Sequence, residues 1–135
     1  MSLTYLLDTD TCSFAITRRP EVFARLEGLD RGSWAISSLV FAELAFGIVK
    51  GAMSPRSHTA LEKFLQGAQV APFDTEAARR AAEIRVYQQK QGRSSGAIDQ
   101  LIAGHALSLN LTLVTGNTKH FDDIPGLVID SWVQR

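Results

Sequence analysis

The chain has 135 residues, of which 45% are hydrophobic and 21% are charged. These proportions are typical of a single soluble globular domain and exclude an intrinsically disordered chain. The 14 Lys and Arg residues balance the 14 Asp and Glu residues, so net charge gives no argument for nucleic-acid binding. Cys12 is the only cysteine, which excludes an intramolecular disulfide and a multi-cysteine zinc site.

Short apolar runs alternate with helical segments along the chain. The apolar runs predict strands at residues 3–7, 34–36, 70–73, 111–115 and 127–129. Caps and glycines predict helices at residues 11–17, 39–50, 76–91 and 97–109, and two more that begin at Pro20 and Pro55. Because the strands are continuously apolar, both of their faces are expected to be covered. We therefore predict a mostly parallel sheet in a three-layer α/β/α sandwich, formed by one domain spanning residues 1–135.

Three carboxylates stand out because their sequence neighbours are apolar. Asp8 follows the first predicted strand, Glu43 lies inside the apolar segment 39–46, and Asp99 lies in the opening turn of helix 97–109. Ligands of an open parallel sheet bind outside the carboxyl ends of the strands, where we expect the three acids to meet. Buried carboxylates are paired or bind metal, and oxygen ligands of this kind suit Mg²⁺ or Mn²⁺ rather than zinc.

Two of these acids also have local explanations. Asp8 could cap the helix that follows it, and Asp99 could favour a helix N-terminus through the helix dipole. Glu43 has no such explanation, which favours the metal-site interpretation for the set. The three histidines show no paired ligand spacing, and His105 is expected to lie in the core or at an interface.

Several motifs follow one another in a recognisable order. They are YLLDTD at 5–10, ISS at 36–38 with AELAFG at 42–47, IDQLIA at 98–103 and LVTGN at 113–117. Together with Phe121, the segment 125–127 and Trp132, they resemble the PIN domain from nearly one end of the chain to the other. More narrowly, they resemble the VapC toxins of bacterial toxin–antitoxin pairs.

The resemblance implies a Mg²⁺-dependent endoribonuclease, in which Mn²⁺ can substitute, built as a PIN-like α/β/α sandwich. The family's first three acids correspond to Asp8, Glu43 and Asp99. Asp8 and Asp99 would ligate the metal, and Glu43 would ligate it through water or orient the nucleophile. The position after the last of these motif strands, often acidic in PIN domains, is Asn117 here.

This departure leaves open which side chain replaces the missing acid. Asp122 and Asp10 are the candidates, whereas the neighbouring Asp123 is expected to be solvated. Hydrogen bonds to the carboxylates or the phosphate are expected from three further side chains, namely Thr9, Thr115 and Asn117.

Contacts with RNA are expected from Arg93 and Lys119, which flank segments at the edge of the predicted site. Trp132 is expected to be a packing anchor near the chain end. The phenylalanines have the spacing of core residues, which applies to Phe14, Phe23, Phe41, Phe46, Phe64 and Phe73.

The resemblance also implies partners. It predicts a homodimer, a VapB-type antitoxin that covers the metal site, and cleavage of structured RNA such as tRNA that inhibits translation. The sequence shows no signal-peptide core before Asp8 and no segment long enough to span a bilayer. A cytoplasmic location without membrane association is therefore expected.

Three other interpretations compete with a ribonuclease. A receiver-like phosphoryl-binding domain also has an Asp after its first strand, but it needs a second strand-end Asp and a Lys after a later strand. A non-catalytic PIN-like interaction module would lack the acids, and all three are present. A flap-type DNase would carry more acids on a longer chain.

Overall fold

A computed structural model describes residues 2–134. This part of the chain forms five strands: β1 (Tyr5–Leu7), β2 (Trp34–Ser37), β3 (Val70–Ala71), β4 (Thr112–Val114) and β5 (Ile129–Asp130). It also forms six α-helices: α1 (Thr9–Ile16), α2 (Pro20–Glu27), α3 (Ser38–Lys50), α4 (Pro55–Gly67), α5 (Thr75–Lys90) and α6 (Ala97–Leu109). Short 3-10 helices lie at Arg31–Ser33 and Thr118–His120.

The five strands form one sheet in the order β3-β2-β1-β4-β5, and every neighbouring pair is parallel. Central strand β1 places Leu7 beside Ile36 of β2 and Val114 of β4. All three side chains are fully buried, which explains why the strands are continuously apolar. The receiver-like interpretation is wrong, because that fold has the strand order 2-1-3-4-5.

The helices cover the sheet in two groups, as the predicted three-layer α/β/α sandwich requires. Helices α1 to α4 contact one another, whereas α5 packs along α6. Along the sheet, the chain runs from β1 through β2 to β3 at one edge and then returns to β4 on the other side of β1. Because crossovers between parallel strands are right-handed, crossovers that run in opposite directions place their helices on opposite faces of the sheet. Within residues 2–134, each α-helix is too short or too polar to traverse a lipid bilayer.

Helix boundaries follow local capping chemistry. The Asp8 carboxylate accepts a hydrogen bond from the Thr11 amide at 2.9 Å, so α1 begins at Thr9, two residues before the predicted start. Gly51 follows α3 with a φ of 70°, as the predicted left-handed stop, and Asn110 follows α6 at the predicted end with a φ of 57°.

The last strand lies two residues beyond its predicted position. Leu127 is still part of a turn, because its amide donates to the Ile124 carbonyl at 3.3 Å and Gly126 has a φ of 79°. Ladder pairing with β4 begins only at the Val128 carbonyl, which accepts from the Leu113 amide at 2.9 Å. The apolar run at 127–129 is therefore split between turn and strand.

The α5–α6 contact depends on a glycine. A Cβ atom at Gly104 would lie 2.5 Å from the backbone nitrogen of Ala81, closer than any side chain tolerates. The two helix backbones can approach this closely only without a side chain at position 104. This close contact holds α6, which carries Asp99, against α5.

The core predictions are partly correct. Trp132 is buried against the ring of Tyr5, with centroids 5.5 Å apart, which confirms its role as an anchor. The prediction is wrong for Phe41 and Phe46, which are 37% and 65% exposed on α3. The other four phenylalanines are partly buried.

His105 lies in the core, as predicted, where its Nδ1 is 2.9 Å from Ser37 Oγ and its ring meets the Phe73 ring edge-on. Desolvation lowers the pKa of His105 below its ordinary value, although Asp74 and the Pro72 backbone act in the opposite direction. The folded state therefore favours the neutral imidazole.

This burial predicts a pH-dependent stability. Because the unfolded state takes up a proton more readily, the free energy of unfolding should fall as pH drops through about 6.5, by at most about 1.4 kcal/mol per pH unit from this residue. Urea unfolding at roughly pH 7.5, 6.5 and 5.5 measures this dependence. The free energy of unfolding should change less with pH in His105→Asn than in the wild type. The matched change His58→Asn, at a half-buried histidine on α4, should keep the wild-type slope. An unchanged slope in His105→Asn would contradict the assignment.

Candidate active site

A cavity of ≈ 110 Å³ opens at the carboxyl edge of the sheet and collects the three predicted acids. Asp8 comes from the end of β1, Glu43 from α3 and Asp99 from the first turn of α6. Parallel pairing brings these elements to one edge, as the sequence predicts. The cavity lining is Asp8, Thr9, Asp10, Glu43, Ile98, Asp99 and Ile102.

Asp8 carries the buried charge of the cavity. It is 7% exposed, and desolvation raises the pKa of its carboxyl. Hydrogen bonds from the side chain of Thr115 and from the Thr11 backbone amide oppose this rise, while the nearby charge of Asp10 adds to it. No Lys, Arg or His within residues 2–134 forms an ion pair with Asp8. Its negative charge is thus held by neutral donors.

Glu43 reaches the same cavity, but it is not the buried acid that its apolar sequence neighbours suggest. The residue is exposed, and its Oε1 accepts a hydrogen bond from Thr9 Oγ1 at 2.9 Å. The expectation fails because several apolar neighbours on α3 are themselves exposed, including Phe46 and Val49. Thr9 acts as predicted by hydrogen-bonding one of the carboxylates.

Asp99 has a partner that the sequence did not reveal. Its Oδ2 accepts a hydrogen bond from His120 Nδ1 at 2.7 Å. His120 ends the 3-10 helix Thr118–His120, 21 residues further along the chain. No ligand-like spacing links the two residues, so only the folded loop could identify this pair.

The other predicted polar residues divide into two groups. Thr115 is fully buried, and its side chain opposes the rise in the pKa of Asp8. The Asn117 backbone donates to Thr115 Oγ1 at 3.0 Å, and its side-chain amide lies 3.1 Å from the His120 ring. Asn117 therefore supports the residues around the acids rather than contacting the acids themselves.

The two candidates for a fourth acid occupy different places. Asp10 lines the cavity, whereas Asp122 lies outside the lining and pairs with Arg93 at 3.1 Å. The Arg93 guanidinium also contacts Asp123 at 3.4 Å and donates to the Lys119 carbonyl. The prediction that Asp123 is solvated is wrong, because its side chain is only 17% exposed and also accepts a hydrogen bond from Gln88.

The oxygen donors of the cavity are of the type that a hard divalent cation prefers, but their present arrangement does not surround one ion position. Within residues 2–134, no group of three or more His, Cys, Asp or Glu side chains is arranged so that it could hold a metal ion. Glu43 accepts a hydrogen bond from Thr9 and Asp99 from His120, while Asp8 has a desolvated charge and no cationic partner among the described residues. An oxygen-only set around an uncompensated carboxylate fits Mg²⁺, provided that the outer carboxylates turn toward it.

Comparison with known proteins gives this arrangement a context. The family model of the PIN domain matches residues 5–127. Among curated relatives, the tRNA(fMet)-specific endonuclease VapC of Shigella flexneri is 37% identical over 130 residues, covering 96% of this chain and 98% of the relative. Ribonuclease VapC2 of Rickettsia felis is 36% identical, with coverage of 95% and 97%.

Solved structures agree with the sequence relatives. The DNA-bound VapBC of Salmonella typhimurium includes a chain with a TM-score of 0.87 and 37% identity, covering 97% of this chain and 99% of that one. VapBC2 of Rickettsia felis, bound to a promoter DNA fragment, gives 0.86 and 34%, with coverage of 97% and 100%. The chain belongs to the PIN-domain family and, within it, to the VapC group of ribonucleases.

The buried charge of Asp8 is expected to lower the stability of the metal-free protein and to favour the binding of a cation. Asp8→Asn keeps a side chain that caps α1 but removes the desolvated charge, so the melting temperature of the metal-free protein should rise by a few degrees. Added Mg²⁺ should raise the melting temperature of the wild type and leave that of Asp8→Asn unchanged.

The matched control is Asp10→Asn, at an exposed acid of the same helix and the same cavity. It should stabilise the metal-free protein less than Asp8→Asn does, because the Asp10 side chain is exposed and only its repulsion of Asp8 is removed. A lower melting temperature for Asp8→Asn would contradict the argument from desolvation.

Proposed function

We propose that the chain is a metal-dependent endoribonuclease toxin that hydrolyses a phosphodiester bond in structured RNA and thereby inhibits translation. The observation that carries this proposal is the meeting of Asp8, Glu43 and Asp99 at one cavity, with the charge of Asp8 buried and unpaired by a cation among residues 2–134. The name of the Shigella flexneri relative makes tRNA(fMet) the first substrate to test.

Mg²⁺ is the proposed cofactor, with Mn²⁺ as a substitute. Asp8 and Asp99 would hold the ion, and Glu43 would bind it directly or through water. A divalent ion in such a site supplies two effects: it lowers the pKa of a bound water and it neutralises charge on the phosphate. Asp10 adds negative charge at the same cavity, which favours cation binding.

The protein's own side chains position the carboxylates for this role. The Thr11 backbone amide on α1 and the Thr115 side chain after β4 hold the Asp8 carboxylate. Thr9 holds one oxygen of Glu43, which leaves the second oxygen able to orient a water molecule. His120 holds Asp99 from the loop after β4, and Asn117 lies against the imidazole.

The RNA contacts proposed for the two basic residues are not equivalent. Arg93 already neutralises Asp122 and contacts Asp123, so it would have to give up these ion pairs to bind a phosphate. Lys119 is exposed and forms no ion pair within the described chain. We favour Lys119 as the phosphate contact for that reason.

A VapB-type antitoxin and a second copy of the chain are the proposed protein partners. The VapBC complexes among the solved relatives support the antitoxin. Helix α3 supports a covered surface, because Phe46 and Val49 are 65% and 85% exposed. Exposed apolar residues grouped on one helix are typical of surfaces that bind another protein.

The proposal predicts metal-dependent RNA cleavage by the purified, partner-free protein. With Mg²⁺, tRNA(fMet) should give discrete fragments, which EDTA should abolish. Asp99→Asn should reduce the rate about 100-fold or more, because it removes a charge from the reacting site. Asp30→Asn changes an exposed acid outside the cavity and should cleave like the wild type.

Two results would contradict this proposal. Cleavage that persists in EDTA or in Asp99→Asn would remove the acids from the chemistry. A protein that neither cleaves RNA nor binds Mg²⁺ would be the non-catalytic interaction module considered above.

A further inference from the structure

Gln88 is a buried polar side chain that takes no part in the cavity itself. It lies on α5, is fully buried, and does not line the cavity that contains Asp8, Glu43 and Asp99. Burying an amide is unfavourable unless its hydrogen-bonding groups are paired. The partners of Gln88 therefore indicate what the side chain stabilises.

The Gln88 amide has a complete set of partners. Its Nε2 donates to Ser95 Oγ at 2.6 Å and to Asp123 Oδ1 at 3.3 Å. Its Oε1 accepts from the Ser95 backbone at 3.1 Å and from Gln100 Nε2 at 2.9 Å. Two donors and two acceptor positions are the full capacity of a glutamine amide. One side chain thus joins α5, the 92–96 loop, α6 and the loop after β4.

These bonds continue to the proposed metal ligand. Ser95 Oγ donates to the His120 carbonyl at 2.5 Å, and the His120 ring donates to Asp99 at 2.7 Å. Gln100, the second helical partner of Gln88, is the residue after Asp99 on α6. Gln88 therefore supports Asp99 from both sides, through the loop and through the helix.

We infer that Gln88 is a positioning residue for the Asp99–His120 pair, acting through Ser95. This inference rests on the proposed function, because it gives Asp99 a role in holding a divalent ion. Without the amide, Ser95, Gln100 and Asp123 lose a shared partner, and the segment that presents His120 loses its attachment to α5. Outer partners of metal ligands typically contribute 10- to 100-fold to metal affinity, so the effect should be measurable on the ion itself.

The test measures the Mn²⁺ dissociation constant by calorimetry, together with urea unfolding of each variant. Gln88→Leu should weaken Mn²⁺ binding about tenfold. The matched change Gln89→Leu, at the exposed neighbour on the same helix, should bind like the wild type. Ser95→Ala should also weaken binding, and Ser95→Thr, which restores the hydroxyl, should recover part of the loss.

A purely structural role predicts lower stability with unchanged Mn²⁺ affinity, and that result in Gln88→Leu would overturn the inference. If Gln88→Leu does not fold, Ser95→Ala decides: wild-type affinity in that variant would overturn the inference, and weakened affinity would support it. Failure of the proposed function would give a different result from failure of this inference. In that case the wild type binds no Mn²⁺, or binds it equally well after Asp99→Asn.

Discussion

Parallel pairing of β1 with both β2 and β4 determines where the carboxylates of the candidate site meet. Because Leu7 is in register with Ile36 and Val114, the residues that follow these strands meet at one edge of the sheet. Asp8 and Thr115 occupy strand ends there, and α3 and α6 bring Glu43 and Asp99 to the same cavity. Asp8 and Asp99, which are 91 positions apart in the chain, thus share one site.

This cavity contains a buried carboxylate, although burying an unpaired charge in a folded protein is unfavourable. Asp8 is buried and its pKa is raised, yet its partners within residues 2–134 are the Thr115 side chain and the Thr11 backbone amide rather than a cation. Thr9 and His120 hold the outer two carboxylates, and Gln88 and Ser95 hold the segment that carries His120. The folded protein therefore contains an unfavourable buried charge, that of Asp8, at the place where a divalent ion would bind.

Much of this arrangement was predictable because it depends on local chemistry. Helix caps and the glycine stop at Gly51 are short-range signals, and they predict helices that the structure contains. The apolar neighbours of Glu43 correctly single it out for the cavity, but they also predict that it is buried. That second prediction is wrong, because several of these neighbours on α3 are themselves exposed. The contacts of His120 and Gln88 join distant segments through irregular loops, which have no periodicity to reveal them.

The most direct measurement is a crystal structure of the protein soaked with Mn²⁺, with the ion located by its anomalous scattering. The account predicts a Mn²⁺ peak in the cavity, coordinated by carboxylate oxygens of Asp8 and Asp99, with Glu43 bound directly or through water. It also predicts that the same peak is absent from Asp99→Asn. A Mn²⁺ site elsewhere, or an ordered cavity without the ion at saturating Mn²⁺, would contradict the account.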